Sequence, residues 1–283
     1  MTVKSLKKQL AAAIAMVCVA AVALGSSTYA WFVSNNQVTA TTASISAQSN
    51  APFLVISNAA ITSGTTDTAV TTTVADATLF PVQMVEANDA ATTFKWESAY
   101  AAASDAATEK ASTRFVVQNA DLDKYYVKQT FHIGTNGTTQ GQFKNLRVSA
   151  VSVTPGAGTN NELQEALRVM VVCGAEVAIY DKSGILVTQY TPQSGTATNI
   201  AGLTAASSRT ANSVATSAAY LTAEADVFPA TSGTVGDKTV DVYLYYDGAV
   251  ANINTANISN LGSVKATVTF TADDAAAPTG TGA

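Results

Sequence analysis

Apolar and polar residues alternate with a period of two in several short stretches of this chain. "SVKATVTFTA" (263–272) holds the pattern longest, with Val264, Ala266, Val268 and Phe270 on one side and Lys265, Thr267 and Thr269 on the other. That period belongs to a strand with one buried face. "YYVKQTFHI" (125–133) repeats it, setting Tyr125, Val127, Phe131 and Ile133 against Lys128, Thr130 and His132. "NLRVSAVSV" (145–153) follows with Leu146, Val148 and Ala150 on one side. Between these two runs an Asn-Gly pair and two further glycines predict a hairpin with a long loop.

"RVMVVCGAEVAIY" (168–180) differs, because its unbroken apolar start predicts a strand buried on both faces. "DKSG" (181–184) predicts a turn, "ILVTQY" (185–190) a returning strand and "TVDVYLYYDG" (239–248) another. "FLVIS" (53–57) and "LFPVQMVE" (79–86) add two more, with Pro81 placing the second at an edge or a strand start. One helix signal stands out. Asn161 precedes "ELQEAL" (162–167), Gln164 is placed as its capping-box partner, and Leu163 and Leu167 lie four apart.

Short strands separated by turns predict an all-β fold, a two-sheet antiparallel sandwich of jelly-roll type with one short helix. A single domain is expected over 50–273, with loop insertions at 58–78 and 192–235 and a flexible tail at 274–283.

The chain's start reads as an export signal. Lys4, Lys7 and Lys8 precede an apolar run of 16 residues, Leu10 to Gly25, and Thr28-Tyr29-Ala30 offers a small-x-Ala cleavage site before Trp31. A cut after Gly25 competes with it. A spanning helix needs about 20 apolar residues, so a signal peptide cleaved from 1–30 is expected, with no permanent membrane span and a secreted, extracellular or cell-surface destination.

Composition narrows the function classes. Charged residues are 12% and apolar ones 47%, which excludes the disordered profile and suits a sheet protein with a Thr- and Ser-covered surface. The net charge is −5, and loss of residues 1–30 would leave 12 basic and 20 acidic residues. With no basic stripe, nucleic acid is not an expected partner. Cys18 lies in the export signal and Cys173 stands alone, so no disulfide framework is available and a buried structural thiol is expected.

Catalytic and metal chemistry is nearly excluded by counting. His132 is the only histidine, which removes HExxH zinc sites and His-based triads, and its place on a polar strand face predicts a solvated side chain. Asp121 with Asp123, and Asp273 with Asp274, read as hydrated pairs rather than calcium loops. No Gly-rich phosphate loop occurs. Asn136-Gly137-Thr138 and Asn257-Ile258-Ser259 match the glycosylation pattern, which is common by chance. Tyr243 and Tyr245 share a strand face, either as packing aromatics or as a sugar platform. No enzyme activity and no cofactor is expected.

The stretch behind the export signal carries the functional expectation. Trp31 and Phe32 are followed by polar Ser34-Asn35-Asn36 and an extended run to Gln48. Val38, Ala40 and Thr42 project to one side and Ala43, Ile45 and Ala47 to the other, so a bulge near Thr41-Thr42 would be needed to turn both sets toward one core. Such a terminal segment, 31–49, either pairs within its own sheet or completes a neighbour's. In the second case the contact is head-to-tail and grows open filaments, with Trp31 and Phe32 as anchors.

"GSSTYAWFVSNNQVTATTASI" (25–45) resembles the signal junction of the TasA/camelysin-like secreted bacterial proteins, and "EALRVMVV…AIYD" and "YLYYDG…VKATVTFTA" are similar to later segments of that set. Trp31 stands where the fibre-forming members would carry Tyr. The resemblance implies a jelly-roll domain, processing by a dedicated signal peptidase, and assembly into biofilm-matrix fibres by donor-strand exchange. Some relatives carry a metalloprotease label, which a chain with one histidine does not support. The expectation is a structural subunit that polymerises with itself. The alternative is a monomeric cell-surface binding module or adhesin, contacting its target through the tyrosine strand or the 192–235 segment.

Overall fold

The computed structural model describes residues 39–49, 54–87, 94–98, 114–137, 141–154, 164–191, 195–203, 220–222, 225–231, 233–250 and 265–275. In chain order the strands are β1 (Thr39–Ser49), β2 (Val55–Ser57), β3 (Ala69–Thr78), β4 (Gln83–Ala87) and β5 (Phe94–Ser98). Next come β6 (Phe115–Val116), β7 (Tyr126–Thr135), β8 (Phe143–Thr154), β9 (Leu167–Cys173) and β10 (Glu176–Tyr180). The series ends with β11 (Gln189–Tyr190), β12 (Thr198–Asn199), β13 (Val227–Phe228), β14 (Gly236–Tyr246) and β15 (Lys265–Asp274).

Two five-stranded sheets form an all-β sandwich. The first runs β13–β8–β15–β1–β3 and the second β10–β9–β14–β7–β2. Their facing sides share one core, to which the first sheet contributes Ile45, Phe143, Leu146, Val268 and Phe270, and the second Ile56, Phe131, Ile133, Val171 and Leu244. Alternation dictates this: in β15 Ala266, Val268 and Phe270 are buried while Lys265 is exposed. All ladders between these strands are antiparallel except β1 with β15, which is parallel.

The expected hairpin between 125–133 and 145–153 is not formed. β7 pairs with β14 and β2, whereas β8 pairs with β15 and β13 in the opposite sheet. Each strand has one apolar side, and the two sides meet across the core instead of lying edge to edge. Alternation names the buried face of a strand, not its neighbour.

A third sheet, β4–β5–β6, covers part of the outer face of the second. Met84, Trp96 and Val117 pack there against Met170, Val172, Val177, Ile179, Tyr243 and Tyr245 in a second core. β9 is therefore buried on both sides, with Val169 and Val171 in the first core and Met170 and Val172 in the second. This is what its unbroken apolar run predicts. β4 begins two residues after Pro81, which places that proline before the ladder, not in it.

The expected helix and the two expected loop insertions need correction. The helix expected over "ELQEAL" does not reach its end, because Leu167 already opens β9; residues 161–163 lie outside the described residues. A 3-10 helix at Asn119–Lys124 has no marker in the apolar pattern, and a 2.6 Å ion pair between Lys124 and Asp121 spans it. Residues 58–78, expected as a loop insertion, contain β3, which pairs with β1 from Ala69 to Thr78. Its Thr-rich sequence carries little apolar alternation, yet it suits an edge strand with one wet face. The 192–235 segment likewise contributes β12 and β13 among its described residues.

Candidate functional site

The slot filled by β1 is built from two distant parts of the chain. On one side β15 pairs in parallel, from Ser44 opposite Lys265 to Ser49 opposite Phe270. On the other β3 pairs antiparallel, from Thr39 opposite Thr78 to Gln48 opposite Ala69. Ile45 and Ala47 are 0% exposed and join the main core beside Val268 and Phe270. On the opposite face Ser46 Oγ lies 2.9 Å from Thr71 Oγ1, and at the end of the strand Ser49 N donates to Thr68 O at 2.8 Å.

The ladder with β3 keeps one register throughout, so the bulge expected near Thr41-Thr42 is not present in it. Alternation commits the side that carries Ile45 and Ala47 to the core. The register shifts fall instead in β15 against β8, between Thr269 and Phe270 and between Thr271 and Asp273. Of the residues expected to act in processing or assembly, Thr28, Ala30, Trp31, Phe32 and Val38 lie outside the described residues. Ala40 and Ala43 are positions in β1, opposite Ala77 and Val74. Ile45 is the one whose burial is seen. β3 itself escapes a reading of the sequence, because nothing in "AVTTTVADAT" marks it beyond a high Thr content.

The tyrosine strand does not offer a platform. Tyr243 and Tyr245 are buried beneath the third sheet; Tyr245 meets Trp96 edge-on at 5.0 Å, and Tyr243 meets Phe94 at 5.9 Å and Tyr126 at 5.0 Å. Tyr246 points into the main core. Burial holds all three phenols above their ordinary range. Cys173 is buried too, and loss of hydration pushes its thiol up to about 11, leaving it an inert packing group.

His132 is not simply solvated. Its Nδ1 lies 2.9 Å from Asp237 Oδ1 on the neighbouring strand β14, and the ring is half-buried. Asp121 is held by Lys124, and Asp273 by Asn145 and Arg147, so each acidic pair has a member already committed to an internal partner. Among the described residues no group of three or more His, Cys, Asp or Glu side chains is arranged to hold a metal. An open depression of about 510 Å³ beside the third sheet is lined by Glu86, Phe94, Lys95 and residues 116–120, with no cluster of reactive groups.

A half-buried polar chain links the third sheet to the sandwich. Arg114 donates to Gln83 Oε1, Gln83 Nε2 donates to Asp247 Oδ1 at 2.7 Å, and Asp247 Oδ2 pairs with Arg168 Nη2 at 3.0 Å. These contacts tie β4 to β9 and to the end of β14, with Arg168 Nη1 also donating to the Glu165 and Leu167 carbonyls. Among the described residues no helix is long and apolar enough to cross a membrane. No family model, no curated protein and no solved structure matches the chain, so a functional reading rests on its own geometry.

Proposed function

We propose that the protein is a non-enzymatic structural subunit of an extracellular filament or matrix, in which the N-terminal strand of one copy fills the β15–β3 slot of the next. The supporting observation is the construction of that slot. β1 is the first strand among the described residues, its two neighbours come from residues 69–78 and 265–274, and backbone ladders occupy both of its edges. A terminal strand can leave such a site without unthreading any loop, and an identical strand from another copy remakes the same ladders and returns Ile45 to the same core. Exchange of like for like costs little at equilibrium, and it propagates head-to-tail. Export and removal of residues 1–30 by a dedicated signal peptidase would free Trp31 and Phe32 to lead the strand. The low charge and Thr-rich surface suit a structural role outside the cell.

Negative-stain microscopy of protein beginning at Trp31, beside protein beginning at Asn50, tests the reading. Filaments from the first and dispersed particles from the second are expected. Dispersed, folded particles from both would reject self-assembly through this strand.

A further inference from the structure

Along the core face of β1 the side chains shrink, while those flanking them grow. That face carries Ile45, Ala47 and Ser49 in turn, and the parallel ladder sets them against Ala266, Val268 and Phe270 of β15. On the other side β3 sets Thr72 against Ile45 and Val70 against Ala47. The large Ile45 therefore stands between two smaller residues, and the small Ala47 between two valines. Ile45, Ala47, Ala266, Val268 and Phe270 are fully buried in one core, and Val70 packs against it. Each rung, one β1 residue with its two ladder partners, must fill its share of a close-packed interior. Too little side chain leaves a cavity there, and too much forces strain.

We infer that the slot selects its strand by size, taking a large aliphatic side chain at the Ala266 rung and a small one two residues on, at the Val268 rung. The inference rests on the donation proposed above for whose β1 fills the slot, and it names what the slot recognises: the Ile45-Ser46-Ala47 step of a second copy of this chain. Backbone pairing alone accepts any extended segment, and side chains set against pockets supply the preference. The same step fixes register. A shift of one residue turns Ser44 and Ser46 into the core and Ile45 out of it. A shift of two in either direction sets an alanine, Ala43 or Ala47, against Ala266 and leaves a void. In one of those directions it also forces Ile45 against Val268.

The reciprocal exchange Ala47→Val and Val268→Ala, made in the protein beginning at Trp31, tests the size step and donation separately. Within one chain, A47V and V268A should each lower the urea midpoint, the first by overpacking and the second by a cavity. Together they should recover about half of the summed loss or more. Simply additive losses overturn the proposal, whether or not β1 is donated. Between chains, each single variant should yield about tenfold less filament than the parent at equal concentration. An equimolar mixture of the two should restore assembly, because each joint of an alternating fibre then brings together either both substituted positions or both native ones. Single variants that assemble as well as the parent, or a mixture no better than its components, overturn selection of the partner by size. Absence of filaments from the parent counts against donation alone, and the within-chain result then decides the size step. If A47V does not fold, I45A with A266V at the neighbouring rung is measured in its place and read in the same way.

Discussion

Ser46 and Thr71 face each other across the β1–β3 ladder with their hydroxyl oxygens 2.9 Å apart, on the face opposite the buried Ile45. One strand thus offers two kinds of hold. An apolar side chain is sunk in the core, and a small polar pair bridges to the next strand on the other face. The first sets how firmly β1 is seated, and the second gives a means of asking whose β1 it is.

Ile45→Ala should destabilise the domain by about 2 to 5 kcal/mol, because a fully buried side chain in a close-packed core leaves a cavity when truncated. Ser44→Ala, on the half-exposed face of the same strand, should change stability by less than about 0.5 kcal/mol. Urea unfolding of both variants measures the contrast; equal effects would show that β1 is not seated as described.

Trp96→Ala should cost about 3 to 5 kcal/mol by emptying the centre of the second core. Near-ultraviolet circular dichroism should lose the signal of the packed Trp96, Tyr126, Tyr243 and Tyr245 rings, while the far-ultraviolet β signal persists.

Asp247→Ala should destabilise by about 3 kcal/mol, since it leaves the nearly buried Arg168 guanidinium without its carboxylate and Gln83 without its acceptor. The urea midpoint should fall in proportion. A shift within error would mean that the polar chain does not hold the third sheet.

Acid should act partly through Asp273. Burial opposes its ionisation, but hydrogen bonds from Asn145 and Arg147 and the positive charge of Arg147 outweigh that and hold the carboxyl below its usual range. A carboxyl depressed in the folded state contributes stability above its unfolded value and loses it as pH falls through the folded value. Asp273→Asn should therefore be less stable than the parent at neutral pH and converge with it as the solution is acidified below about pH 4. The carboxylate is partly in solvent, so the neutral-pH difference should stay below about 1 kcal/mol.

The buried strands were legible in the sequence because their chemistry leaves no choice of face. Val268 and Phe270 announce one wet side and one dry side, and the run from Val169 to Cys173 announces two dry ones. Neighbour relations were not legible. Nothing in Phe131 or Val148 says whether the two strands lie side by side or across a core, and they lie across it. β3 escaped notice because Thr71 to Thr73 signal only that a strand is tolerated, and it is the ladder to β1 that makes one. The third sheet was half visible, with β4 read and β5 missed, although Phe94 and Trp96 are what bury Tyr243 and Tyr245. The tyrosines shared a face as alternation required. Whether that face was open depended on a segment more than a hundred residues away.

The most direct test of strand donation uses the Ser46–Thr71 pair. Protein beginning at Trp31 and carrying S46C and T71C is allowed to assemble under reducing conditions, then oxidised and run on a denaturing gel without reductant. Cys173 is buried with its thiol raised, so it does not compete. If β1 is donated, the bond joins different chains, and a ladder of covalent multimers appears that collapses to monomer on reduction. If assembled material yields only internally linked monomer, β1 stays in its own sheet and donation of this strand is wrong.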